Sequence, residues 1–266
     1  MFDYIRRINR TFAALDIALP KECQAATALA EAAIEATNPT TADDLNDAIA
    51  AGTITPKNLG AKLIEAALAL VAAERIHAAA EGTQSAITTI YYDGFRNHAD
   101  KLVEALRTPF NEAAATLTAA ARHFQDGATP QQILNAGPEA VTAWHGLDAA
   151  RHTMGQVRTA RAIIADIERD NADAYLHYIG GNHNQAELWH AEAQYTGVGD
   201  GLHNLATAGY TLHLNTRAEA AALARTAQTK SAKEQAAAEA ARIAEHKASS
   251  SLAFELGARA ALINHG

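Results

Sequence analysis

Residues 61–80 read AKLIEAALALVAAERIHAAA, without a glycine or a proline. Alanine has the best intrinsic helix propensity, because it loses no side-chain rotamer freedom on entering a helix. The stretch is typical of the whole chain, in which about a quarter of the residues are Ala, spread over almost the full length. Ala surfaces also let helices approach toward the short end of the usual spacing of about 8–10 Å. This composition predicts an all-α protein: an elongated bundle of long antiparallel Ala-rich helices with short helices at its ends. No strand pattern competes with it, and no repeat recurs at a fixed period.

The helix containing this stretch opens at Thr55-Pro56, an N-cap and first-turn pair. Its pattern continues at least to Arg107. Gly82 and Gly94 interrupt it at about 1 kcal/mol each relative to Ala. Unbroken, it would measure roughly 75–80 Å at about 1.5 Å per residue. Phe95, Leu102, Leu106, Phe110, Leu117 and Phe124 keep helical spacing across Thr108-Pro109, where the proline kinks the rod or starts a new helix, and Asp126-Gly127 ends it. Upstream, residues 2–19 read as an amphipathic helix, with Phe2, Ile5, Phe12, Leu15 and Leu19 near one face and Arg6, Arg7 and Arg10 beside it. Such a helix packs on the body or docks on a partner or membrane surface. A second helix spans residues 21–36 and stops at Asn38-Pro39. Thr41 and Asp44 resemble a capping box for a short helix at 42–51, closed by Gly52.

Downstream, Thr129-Pro130 starts one short turn of helix. Gly137-Pro138 starts a long helix to about Tyr178, in which Leu147, Met154, Val157, Ile164 and Ile167 recur as in a helix–helix seam. Gly180-Gly181 stops it. A helix at 184–195, a glycine-rich loop at 196–201 and a last long helix at 202–247, weak at Gly209, complete the body. The second half of that last helix has few large apolar residues, so local propensity and i,i+4 ion pairs stabilise it rather than burial. It is expected to project or to pack on a partner. Ser249 to Ser251 break it before a short helix at 252–262. The elements group as short N-terminal helices (1–55), a long hairpin body (56–179) and a C-terminal part (180–266), forming one continuous structural unit.

Hydrophobic residues make up 48% of the 266, but Ala supplies about half of that set and aromatic residues are only 6%. Burial contributes about 25 cal/mol per Å² of apolar surface, and an Ala methyl offers little. A lone copy is therefore thin-cored, and protein partners or self-association are expected to add stability. The net charge of −8 argues against general nucleic-acid binding, which rests on a basic footprint. Cys23 is the only cysteine, which excludes an intrachain disulfide and fits a reducing compartment. No apolar run approaches the ~20 residues of a transmembrane helix. Arg6, Arg7 and Arg10 before the apolar stretch 11–19 imitate a signal peptide, but Asp16 interrupts the stretch and Pro20 ends it. The expected location is the cytoplasm, or a virion assembled there.

Five of the twelve histidines fall between His177 and His213. His183, Glu187 and His190 sit at i, i+4 and i+7, one helix face, with Gln194 extending the stripe. Glu74 and His77 form a second Glu-x-x-His pair. Two such pairs on different helices resemble the ligand motif of ferritin-like di-iron proteins. The resemblance implies a four-helix metal core with two further carboxylates, for which Glu35 and Glu168 are the nominees.

Trp144-His145-Gly146 is a Trp-x-Gly triplet. It resembles the turn of the small secreted WxG-motif proteins of actinobacterial type VII systems, which implies two long antiparallel helices on either side and a Tyr-x-x-x-Asp/Glu signal. None of the seven tyrosines carries Asp or Glu at that position.

No nucleophile elbow and no Cys in a His/Asn setting is present, so neither catalysis nor a cofactor is expected. Gly197, Gly199 and Gly201 precede a helix but lack Walker spacing, and Asp200 adds a repelling charge, so they read as an interhelical connection. Arg151, Arg158 and Arg161, with His152 nearby, form a modest basic patch able to face a phosphate backbone, an acidic surface or solvent. The leading expectation is a non-enzymatic structural or assembly protein packing through helical faces, a phage virion, capsid-associated or scaffold component in its concrete form. A Glu-x-x-His metalloprotein and a WxG-type secreted effector or adaptor are the alternatives.

Overall fold

The computed structural model describes residues 2–37 and 47–263. Among the described residues the chain is all-α apart from one two-residue antiparallel ladder. In chain order the helices are α1 (Asp3–Ala13), α2 (Lys21–Ala36), α3 (Leu59–Asn97), α4 (Ala99–Ala121), α5 (Pro130–Asn135), α6 (Pro138–His145) and α7 (Leu147–Glu168). A 3₁₀ turn (Ala174–His177), β1 (Ile179–Gly180), α8 (Gln185–Thr196), α9 (Gly201–Thr207), β2 (Thr211–Leu212) and α10 (Arg217–Ile263) follow. Residues 47–50 are also helical, and Thr41 and Asp44 lie outside the described residues. No helix is long and apolar enough to cross a membrane among the described residues.

The chain divides into two compact units, residues 1–113 with 149–171 and residues 114–148 with 172–266. In the first, Ile5, Ile8 and Phe12 recur on one face of α1 and are buried with Tyr91, Phe95, Leu102, Leu106 and Phe110. Phe12 meets Phe95 edge to face, with centroids 5.6 Å apart. Tyr91 donates its hydroxyl to Asn9 Oδ1 (2.8 Å), and Asn9 donates to Thr27 Oγ1 (2.9 Å), so one polar chain ties α3, α1 and α2. α2 packs closely on α3 because its contact face is Cys23, Ala26 and Ala30, opposite Gly94. The Cys23 thiol donates to the Tyr91 carbonyl at 3.3 Å. α7 adds Met154, Val157, Ala160 and Ile164 to the core.

The long helix expected from Gly137-Pro138 to about Tyr178 is instead two, α6 and α7, parted at Gly146, and α7 stops at Glu168. Arg169 takes a left-handed conformation (φ 52°), and the Asp170 and Arg169 amides donate to the Ala165 and Asp166 carbonyls, a Schellman turn. The turn brings Asp170 back to Arg161 (3.3 Å), whose side chain is fully buried. The break between α3 and α4 falls at His98, whose Nδ1 lies 3.0 Å from the Gly94 carbonyl, and Pro109 lies inside α4 rather than starting a new helix.

In the second unit, Thr129 caps α5 and Asn184 caps α8, each in a reciprocal capping box with the Gln132 or Glu187 side chain. The ladder pairs Ile179 with Leu212 and Gly180 with Thr211. It corrects the expectation of no strand, since two residues are too few to show a period of two. Asn215 fixes it, donating from Nδ2 to the Leu176 and Ile179 carbonyls (both 2.7 Å). Gly209 (φ +87°) ends the helix outright instead of merely weakening it. α10 then starts at Arg217 and continues through Ser249, Ser250 and Ser251 to Ile263, where a break was expected. Only Ala220 and Ala227 of its first turns are buried, and residues 232–245 are exposed throughout.

Candidate functional site

The two Glu-x-x-His pairs fall in different units, Glu74 and His77 in the first and His183, Glu187 and His190 in the second. On α3 both residues are exposed, and His77 pairs with Glu81 (3.2 Å) rather than with Glu74. On α8, Glu187 is the third residue of the capping box. Its carboxylate accepts the Asn184 amide at 2.8 Å, which holds the carboxyl below its usual range, with Lys230 and His183 adding to the effect. His183 Nδ1 lies 3.6 Å from that carboxylate, and its Nε2 is 3.0 Å from the Gly180 carbonyl. The Tyr210 ring packs against both His183 and His190 and donates its hydroxyl to the Glu187 carbonyl (2.7 Å). His203 is buried against Phe124, with Nε2 3.1 Å from that residue's carbonyl. The clustered histidines thus knit short elements together. Among the described residues no three His, Cys, Asp or Glu side chains converge into a metal-holding group.

The glycine-rich loop is a tight turn between α8 and α9. A Cβ on Gly201 would collide with the Tyr195 carbonyl, and Gly199 is left-handed (φ +96°). Asp126 donates nothing here; its Oδ2 accepts the Asp200 amide at 2.7 Å, filling the place an anion would take. The Trp-x-Gly triplet joins eight-residue α6 to α7, with Trp144 exposed and Gly146 against the Thr116 methyl. Of the expected basic patch, Arg161 turns into the core beside Met154, Val157 and Ile164, the face its spacing gives it. Arg151 and His152 instead share a groove with Arg7 and Arg10 of α1.

The feature the sequence reading passed over is the first half of α3. No residue from 59 to 79 is buried. Leu59, Leu63, Ile64, Leu68, Leu70, Val71 and Ile76 are 38–66% exposed. At about 3.6 residues per turn, Leu59, Leu63 and Leu70 form one stripe and Ile64, Leu68 and Val71 another, roughly a third of a turn away. A helix apolar on more than one side normally lies inside a larger body. The signal lies in residues 61–80, whose alanine content is read for helix propensity and whose large apolar positions are left unplaced. Compared with known protein families, curated proteins and solved structures, the chain matches none.

Proposed function

We propose that this chain is a non-enzymatic assembly component that packs through the first half of α3 against helices of other copies. The two exposed apolar stripes of that segment carry the reading. Complete burial of a large aliphatic side chain contributes about 1.5–3 kcal/mol. Seven side chains about half exposed therefore hold roughly 5–10 kcal/mol, before the ordering and association costs of a complex. Two stripes suit two neighbouring helices, hence an oligomer or a lattice more than a simple pair. A repeated position in a particle, such as a virion component, is one form of this role. The exposed outer part of α10 offers a further helical face, Ala-rich and charged, with Ile243 its large apolar residue between 232 and 245.

Sedimentation velocity from about 1 to about 100 µM spans associations near −8 kcal/mol and weaker. The chain should sediment as concentration-dependent oligomers. Leu63→Gln/Leu68→Gln, which strikes both stripes at exposed positions, should shift it to monomer with helix content unchanged. A monomer at every concentration, or oligomers untouched by the double variant, would overturn the proposal.

A further inference from the structure

In the first unit α1 and α7 flank an open groove of ≈ 730 Å³. Small side chains line part of it, Thr11 on α1 and Ala14 at its C-cap with Gly155 and Thr159 on α7. Arg7, Arg10, Arg151, His152 and Gln156 complete its lining, and no carboxylate is among the residues that line it. In a chain of net charge −8, so acid-free a concentration of cations is unusual. The spacings explain how it forms. Arg7, Arg10, Thr11 and Ala14 follow i, i+3, i+4 and i+7 on α1, and Arg151 or His152, Gly155 and Thr159 recur at the same period on α7, so each helix gives the groove one face.

Arg7 and Arg10 are exposed, and neither makes an ion pair among the described residues. Arg7 lies over the Tyr4 ring, 4.9 Å from its centroid, and Arg10 Nε donates to the Arg6 carbonyl at 3.4 Å. These contacts use the ring face and one Nε, and they orient the guanidinium groups. Guanidinium forks match tetrahedral oxyanions with paired, charge-assisted hydrogen bonds, and the Gln156 amide supplies a neutral donor. The Thr11 and Thr159 hydroxyls donate to the Arg7 and Gly155 carbonyls (3.0 and 2.9 Å) and only shape the groove. We propose that this groove binds phosphate groups, one or two at a time, borne by a small phosphorylated ligand or by a short stretch of a single nucleic-acid strand. The acidic balance elsewhere opposes a long polyanion, which confines the interaction to the groove.

The test is calorimetric titration of the full chain with inorganic pyrophosphate at low ionic strength, with a ten-nucleotide single strand and a poly-glutamate peptide as further arms. Pyrophosphate should saturate one site. Arg7→Gln/Arg10→Gln should weaken it at least about tenfold, as loss of charge-assisted bonds requires. Arg225→Gln/Lys233→Gln removes equal charge from the groove beside Asn182 in the other unit and should leave binding unchanged. Gly155 is helical, and a Cβ there would meet nothing within 4 Å. Gly155→Ala should therefore bind as before, whereas Gly155→Glu, which adds a carboxylate to the lining, should not bind. If the strand binds more tightly than pyrophosphate, a strand supplies the phosphate; equal affinity assigns it to a small ligand. No saturable site, equal weakening by the control pair, or preference for poly-glutamate would overturn the proposal.

Discussion

Gly94→Ala is the substitution that tests the close contact of α2 and α3. A Cβ built on Gly94 would stand 2.6 Å from the Glu22 Cβ, 3.5 Å from the Cys23 amide nitrogen and 3.6 Å from Cys23 Sγ. Carbon pairs settle at about 3.5–4.0 Å, so the closest contact falls short by about 1 Å. Neither Cβ can rotate away, and relief requires the helices to part around Cys23, Ala26 and Tyr91, all fully buried. Overpacking of this kind costs about 1–3 kcal/mol. Against it stands a gain of about 1 kcal/mol from replacing a helical glycine by alanine. Gly82→Ala, on the same helix with nothing within 4 Å of its Cβ, should show that gain alone. The difference between the two variants isolates the steric cost, about 1–3 kcal/mol. Urea unfolding followed by circular dichroism measures it as a lower midpoint for Gly94→Ala. Equal midpoints, or a more stable Gly94→Ala, would refute the tight packing of α2 on α3.

Burial pushes the Cys23 thiol and the Tyr4 and Tyr175 hydroxyls up to about 12, and raises the Tyr91 hydroxyl as well. Each stays protonated in the fold at pH values where the unfolded chain ionises, about 8.5 for Cys and about 10 for Tyr, so their contribution is complete below about 8.5 and falls as pH rises. The urea midpoint should therefore decline steadily between about pH 8.5 and 11; a flat or rising midpoint in that window would contradict the burial of these groups. Arg161→Met removes the guanidinium facing Asp170, whose side chain is 3% exposed, and should cost about 3–5 kcal/mol, largely recovered when Asp170 is replaced by Leu in the same chain. A loss below about 1 kcal/mol in the single variant would show that the pair is solvated.

Helix starts were the most legible part of the fold, because a cap is a local device. Thr129-Pro130 and Gly137-Pro138 announce α5 and α6, whereas Thr55-Pro56 leads only into a turn and α3 opens at Leu59. Glu187, read for its Glu-x-x-His spacing, is instead part of the box with Asn184 that opens α8. Where the reading failed, long-range or cooperative terms had outweighed local ones. Ser249 to Ser251 favour local turns, yet they lie within a helix already propagating through Ala-rich sequence, where each added residue needs no new nucleus. Arg169 ends α7 in a conformation usually left to glycine, held by the bridge its neighbour makes to Arg161. The candidate surfaces divide in the same way. The apolar stripes of α3 lie in adjacent residues and could be read from a helical wheel. The basic groove joins Arg10 to Arg151, and only folding brings residues so distant in sequence together.

Each compact unit is assembled from two separated stretches of chain, with residues 114–148 of the second unit inserted between 1–113 and 149–171 of the first. During synthesis this interleaving sets an order of events. The first unit must wait for its closing segment while the opening segment of the second has already emerged, and that segment must wait in turn for residue 172 onward. No single cut in the chain leaves both units whole, and no cut between residues 114 and 171 leaves either one whole. Unlike beads on a string, neither unit can be cut out as one continuous stretch without breaking the other, and a delay in translating residues 149–171 holds up both.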